Sequence, residues 1–263
     1  MAPRRRTNAS PHDASEATGP GAPPAAPGAA AADGQATSAA AGEAPADGKA
    51  ERPAGPKPTM VLMVRHGKTP TTGTKLPGRA RGLHLSPEGH KQAAEAAKRV
   101  MRLKDVAAVY ASPLERTRET AAPIAAALGL RTKLEPGLLE CDFGRWTGAD
   151  LKDLFKLPEW RTVQQYPSGF RFPDGESFAE MQLRIISTIE RLCARHPGRT
   201  VVAVSHADPI KAALAHALGT HLDLFQRIVV SPCSVSAVLY GATGPVVLAS
   251  NSTGRDLRAL QPS

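Results

Sequence analysis

Along the chain, short apolar runs alternate with longer stretches in which apolar residues recur at helical spacing. Met60-Val61-Leu62-Met63-Val64, Val106-Ala107-Ala108-Val109-Tyr110-Ala111 and Thr200-Val201-Val202-Ala203-Val204 are too short for globular helices. They suit strands buried on both faces. Between them, Ser86-Pro87 reads as an N-cap followed by proline at the first helical position, opening a helix over Glu88–Leu103. A second helix follows Ala111 and is closed by Gly129, a long amphipathic helix spans Ala179–Arg195, and another starts near Pro209. Ser234–Tyr240 and Pro245–Ser250 flank Gly241-Ala242-Thr243-Gly244 as a β-hairpin. This order predicts an α/β fold, a three-layer sandwich with a central, mostly parallel sheet of about six strands flanked by helices. Residues 70–82, rich in turn formers, read as a loop, and 149–172 as a variable pocket wall with a short helical stretch around Leu151–Leu157.

The first 58 residues stand apart. They hold 19 Ala, 10 Pro and 7 Gly, and no Val, Ile, Leu, Phe, Tyr or Trp, so they lack the apolar surface that offsets the entropy of ordering. They are predicted to form a disordered tail, leaving residues 59–263 as one folded domain. The tail's basic and acidic residues balance at six each, so the formal charge of +9 belongs to the folded part, with 27 basic against 18 acidic residues. Such an excess suits a phosphorylated partner. Aromatics make up only 4% of the chain and interleave with no basic stripe, which argues against nucleic acid. No run is long and apolar enough to span a membrane and no secretory signal follows Arg4-Arg5-Arg6, so a cytoplasmic protein is expected. Whether translation starts at Met1 or Met60 stays open. Cys141, Cys193 and Cys233 are odd in number and far apart, without CxxC spacing, and are expected to be inert thiols.

Each buried run delivers polar groups at its carboxyl end, where open α/β sheets place their ligands. The first ends in Arg65-His66-Gly67, the second leads through Ser112-Pro113-Leu114-Glu115 to Arg116, and the third ends in Ser205-His206. Arg offers a rigid fork for phosphate or carboxylate oxygens, His attacks or exchanges protons near neutral pH, and Gly permits close approach to a ligand. The substrate is therefore expected to be an anion.

These segments resemble those of the histidine phosphatase superfamily, also called phosphoglycerate mutase-like, in its phosphatase-type branch. Its opening Arg-His-Gly-x-Thr is matched by Arg65, His66, Gly67 and Thr69, and its Leu-Thr/Ser-x-x-Gly-x-x-Gln-Ala by Leu85, Ser86, Gly89, Gln92 and Ala93. Ser112, Leu114, Arg116, Thr117 and Thr120 match a third motif, and Leu138, Glu140, Phe143, Gly144, Trp146 and Gly148 a fourth. Pro173, Gly175, Glu176 and Ser177 precede the long helix as in the family, and Val204-Ser205-His206-Ala207 carries its second histidine with Ala in place of the usual Gly. The resemblance covers roughly residues 60–250.

By this resemblance His66 is the nucleophile, forming a phosphohistidine. Arg65, Arg116 and a positively charged His206 hold the phosphoryl oxygens, and Glu140 donates and accepts the proton, with Asp142 ranked behind it. Gly67 and Thr69 belong to the substrate site, and the loop residues Lys75, Arg79 and Arg81 are candidates for its anionic remainder. Arg118 is expected on the helix surface, as are Arg184, Glu190, Arg191 and Arg195. The expected reaction is hydrolysis of a small phosphorylated metabolite without metal or other cofactor. A phosphomutase using the same residues and a catalytically silent phospho-ligand binding protein are the alternatives. Oligomeric state is left open, a homodimer being one option.

Overall fold

The three apolar runs that end in polar groups lie side by side. The computed structural model describes residues 57–254 and 256–261, so the predicted tail lies, up to residue 56, outside the described residues. β1 (Thr59–Arg65), β2 (Val106–Ala111), β3 (Thr132–Leu134), β4 (Thr200–Ser205), β5 (Val235–Gly241) and β6 (Gly244–Ser252) form one sheet in the order β3-β2-β4-β1-β5-β6. The pairs β1/β4, β4/β2 and β2/β3 are parallel, and the β5–β6 hairpin adds its strands antiparallel beside β1. The sheet is thus mixed, with the expected strand number.

Helices cover both faces. α1 (Pro87–Val100) and α2 (Glu115–Ala127) pack on one side, α5 (Phe178–Arg195) and α6 (Ala207–Ala217) on the other. β1 shows why its sequence is continuously apolar: Met60, Leu62 and Val64 join Ala93, Val100 and Ile124 in one core, while Val61 and Met63 join Met181, Ile185 and Ile210 in the other. With side chains alternating between two buried faces, no position is free to be polar.

Local chemistry sets the helix ends. Ser86 Oγ accepts from Gly89 N at 3.1 Å ahead of Pro87, and α1 stops at Val100, short of the expected Leu103. At the end of α2, Gly129 adopts φ of 65°, its N–H bonds Ala126 O and that of Leu130 bonds Ala125 O, a Schellman closure. Ser177 and Glu180 form a reciprocal capping box at the start of α5. Two elements differ from expectation. β3 has only three residues, too few to show a period, and the wall segment holds α3 (Leu151–Leu154) followed by α4 (Pro158–Gln165), a second helix where turn formers and aromatics masked it. Among the described residues no helix is long and apolar enough to cross a membrane. All three cysteines are free, and burial pushes their thiols up, Cys193 to about 11 and Cys233 to about 12.

Candidate active site

Parallel register brings the two histidines together. Arg65 pairs with Ser205 at the ends of β1 and β4, and His66 N donates to Ser205 O at 3.0 Å, so the rings of His66 and His206 meet edge to face with centroids 5.2 Å apart. β2 ends one step earlier: Ser112 N donates to Val204 O, and Ser112 Oγ lies 2.9 Å from His206 Nε2. The chain then turns through Gly67, whose backbone lies against the start of α1. A Cβ on Gly67 would stand 2.6 Å from Gly89 O, and one on Gly89 2.1 Å from Lys68 O, so neither position admits a side chain. Gly67 N donates to Thr120 Oγ1 and Lys68 N to Gln92 Oε1, which ties the turn to both α2 and α1.

His66 is buried, with Nδ1 2.8 Å from the carbonyl oxygen of Gly67. A carbonyl only accepts, so Nδ1 carries the proton and Nε2 keeps its lone pair. Desolvation and the nearby Arg116 and Arg65 hold its pKa well below the usual range, so the ring is neutral at pH 7. The same physics acts on His206, whose pKa is lowered well below the usual range by desolvation, Arg116, His66 and Arg65.

Arg116, at 0% exposure, donates from Nη2 to Gly78 O at 2.7 Å, and Arg65 from Nη1 to Val230 O at 2.6 Å. Desolvation lowers both pKa values, yet a guanidinium remains protonated in a protein. Among the described residues, the buried nitrogens without a protein partner are Arg65 Nε, Arg116 Nε and Nη1, and His206 Nδ1, all in this cluster. Buried donors are normally satisfied. Three guanidinium N–H groups in one place, with the His206 ring beside them, form a cradle for an oxyanion.

Glu140 is the buried carboxyl of the site. Desolvation followed by the charge of Asp208 raises its pKa to about 7, against the opposing pull of Arg116, the bond from Cys141 N and Arg65. Its backbone is held from two sides. Arg184 donates to the carbonyls of Gly137 (2.9 Å), Leu139 (2.8 Å) and Glu140 (3.3 Å), and grips Glu176 through Nε and Nη2 at 2.8 Å each. Arg79 donates from Nε to Glu140 O at 2.9 Å and from Nη2 to Glu176 at 3.0 Å.

Two expectations change here. Arg184 belongs to a clasp around the 137–140 loop instead of a solvated face, and Arg79 spends its donors on that loop instead of standing free for substrate. Glu176 is the hub of the clasp, while Ser177 does the capping. The signal for Arg184 was weak in the sequence, because its helical position resembles the charged positions around it.

Thr69 is buried among the hydroxyls of Thr71 and Thr72, Lys75 pairs with Asp150 at 3.4 Å, and Arg81 and Arg118 are exposed. Asp142 accepts from Gly144 N at 3.1 Å as a turn residue, half exposed, and so differs from Glu140 in environment. Asp208, in the first turn of α6 and paired with Lys211 at 3.4 Å, carries charge close to Glu140 and Arg65 and was missed. Its spacing from His206 was the available signal. Among the described residues no group of three or more His, Cys, Asp or Glu side chains forms a metal cage.

The family description of the histidine phosphatase superfamily (branch 1) matches residues 61–253. Phosphoserine phosphatase 1 of Hydrogenobacter thermophilus is 33% identical over 198 residues, which is 73% of this chain and 92% of that protein. A probable phosphoglycerate mutase of Yersinia enterocolitica is 30% identical over 208 residues, 76% of this chain and 96% of that protein. Against a bifunctional protein of Mycobacterium tuberculosis, 31% identical over 188 residues, 71% of this chain matches but spans only about half (52%) of the relative. Among solved structures, the phosphoserine phosphatase of Entamoeba histolytica in complex with 3-phosphoglyceric acid superposes with a TM-score of 0.68 at 25% identity, covering 74% of this chain and 98% of that one. With residues 61–253 matched, and with the histidines of the β1 and β4 ends side by side, the chain belongs to the histidine phosphatase superfamily.

Proposed function

We propose that the protein hydrolyses a small phosphomonoester through a phosphohistidine at His66 Nε2, without a metal ion. The observation that carries this is the cluster of unpartnered buried donors beside a neutral imidazole whose Nε2 lone pair is free. In the first step Nε2 attacks phosphorus in line, an N–P bond forms, the ester P–O bond breaks, and the proton of Glu140 goes to the departing alkoxide. In the second, Glu140 as carboxylate takes a proton from water, the hydroxide oxygen bonds phosphorus and the N–P bond breaks, freeing phosphate and restoring the carboxylic acid. Arg65 and Arg116 hold the equatorial oxygens and supply charge that other phosphatases draw from metal. A phosphoryl dianion against His206 favours its protonated form, so the ring gains charge when substrate binds. The catalytic domain is assigned to residues 59–263, with residues 1–58 as an appended tail. Phosphate release from a panel of phosphorylated metabolites in EDTA, with His66→Ala as control, tests the reading. Activity abolished by EDTA and restored by a divalent ion refutes the metal-free part.

Glu140 is needed protonated in the first step. With a pKa of about 7, its reactive form is lost as pH rises through that value, so kcat/KM for alkyl phosphates declines above about pH 7. Glu140→Gln removes this limb. With 4-nitrophenyl phosphate, whose leaving group needs no proton, the variant still phosphorylates but loses its base for hydrolysis. A burst of about one nitrophenolate per site is expected, with steady turnover lowered roughly 10²–10⁴-fold. Stopped-flow absorbance reads both.

Arg184 acts through Glu140 and is a positioning residue. Arg184→Gln, which leaves the 137–140 carbonyls short of donors, is expected to lower kcat for alkyl phosphates about 10–100-fold with a smaller change in KM, because a misplaced acid affects the transition state more than binding. Arg184→Lys restores part of the loss. Equal loss with 4-nitrophenyl phosphate, which needs no acid in the first step, points to general disruption instead.

The same residues serve a mutase, which passes the phosphoryl group to a second hydroxyl. Free phosphate without a sugar-phosphate cofactor separates the two.

A further inference from the structure

Beside the acid of the site lies a cavity of about 440 Å³, within the roughly 300–1,000 Å³ span of small-molecule sites. Its inner wall is aromatic: Phe143, Phe172 and Phe178, all buried. Phe155 and Trp160, from the α3–α4 segment, form the outer wall, their rings tilted with centroids 4.9 Å apart. Phe155 is 57% exposed, so its ring is accessible from solvent where it borders the cavity. Asp208 also lines the cavity. The cavity adjoins the site through Phe143, whose ring stands 3.0 Å from where a Cβ on Gly78 would sit, while Gly78 O accepts from Arg116 at 2.7 Å; the charge of Asp208 also reaches Glu140 and Arg65.

We infer that this cavity receives the leaving group of the substrate, and that the leaving group is an alcohol or phenol bearing an uncharged or cationic aromatic or heteroaromatic ring, seated between Trp160 with Phe155 and the Phe143–Phe172–Phe178 wall. The inference rests on the phosphomonoesterase reading and narrows it. Two arguments set the class. Five aromatic side chains around one space favour a ring through burial and edge-to-face contact, and contribute little to a polar three-carbon acid. The single charged side chain on the cavity wall is a carboxylate, Asp208, which Lys211 pairs at 3.4 Å while also bonding Gln226 at 3.0 Å. A carboxylate on the leaving group would meet like charge there. Nor do the nearest loop cations stand ready for it, since Lys75 is paired with Asp150 and Arg79 with Glu176 and Asp142.

2-Phenylethyl phosphate and O-phosphoserine test this, because both leave as alkoxides of primary alcohols and neither is favoured by an acidic phenol. For the intact chain, kcat/KM for the phenylethyl ester is expected to exceed that for phosphoserine and for 3-phosphoglycerate by about tenfold or more. Trp160→Ala should collapse the ratio about tenfold through KM, and Trp160→Phe should restore most of it. Binding is read separately with the His66→Ala chain, where saturable quenching of tryptophan fluorescence by 2-phenylethyl phosphate, and not by phosphoserine, is expected. Preference for either carboxylate substrate, or a ratio that Trp160→Ala leaves unmoved, overturns the inference and leaves the phosphatase reading standing. Selective binding of the aromatic ester without hydrolysis of any ester overturns the phosphatase reading and keeps the aromatic seat; neither binding nor hydrolysis overturns both.

Discussion

His66→Ala is expected to lower phosphate release by roughly 10⁴–10⁶-fold, the scale on which removing a covalent nucleophile acts. The loss should fall on kcat. Arg65 and Arg116, with their unpartnered nitrogens, remain in the variant to bind the phosphoryl group, so KM or a measured Kd should change little. The ring's one side-chain bond is to Gly67 O, the carbonyl of the next residue, and the turn that carries it is fixed separately by Thr120 and Gln92. The variant should therefore fold, with the circular dichroism spectrum of the parent. Intact-protein mass spectrometry after acid-free quenching of the Glu140→Gln chain should show one added phosphoryl group, absent when His66 is also replaced. Because desolvation, and after it the charges of Arg116 and Arg65, lower the pKa of His66 well below its usual value, activity on the acid side should persist below pH 6.5. An acid limb at or above that value, together with retained activity in His66→Ala, excludes His66 as the nucleophile.

Much of this site could be read from the sequence because its groups sit at the ends of strands. A buried strand writes a continuous apolar run, and the run stops where chemistry begins, as at Val64-Arg65-His66 and Val204-Ser205-His206. Sheet register then does the rest, since Arg65 opposite Ser205 places the two histidines side by side without any local signal linking them. Glu140 follows no strand, and only its resemblance to a motif singled it out from Asp142. The structure supplies the physical difference, burial against half-exposure. What stayed hidden was long-range and polar. Arg184 lies 44 residues from Glu140, and Arg79 61 residues, and nothing in the spacing says that both guanidinia end on one carbonyl. The same holds for β3, whose three residues pair with Val109–Ala111 but are too few to show alternation.

Arg116→Met should move activity and stability in opposite directions. Arg116 is a fully buried cation whose Nε and Nη1 have no protein partner and whose Nη2 donates to Gly78 O. Burying a charge without full compensation is costly, and the opposing charges of Glu140 and Glu115 form no close ion pair with it but act at longer range. Met is of similar length, carries no charge and adapts to irregular space. Losing the bond to Gly78 costs about 1 kcal/mol, whereas removing a buried uncompensated cation returns about 1–4 kcal/mol, so a net rise in stability is expected by urea unfolding. Catalysis loses the charge that meets the phosphoryl oxygens, a fall of roughly 10³–10⁵-fold in kcat/KM on the scale of arginines in phosphoryl transfer. Two pH shifts should accompany it. Arg116 lowers the pKa of Glu140 and of His66, so its removal moves the alkaline limb above about pH 7 and brings the acid limb up toward the ordinary histidine value. A destabilised variant with unshifted limbs would mean that Arg116 is a structural residue held by Gly78. A stabilised, inactive variant with both limbs displaced upward would mean that the fold carries this cation for the substrate's charge and against its own stability.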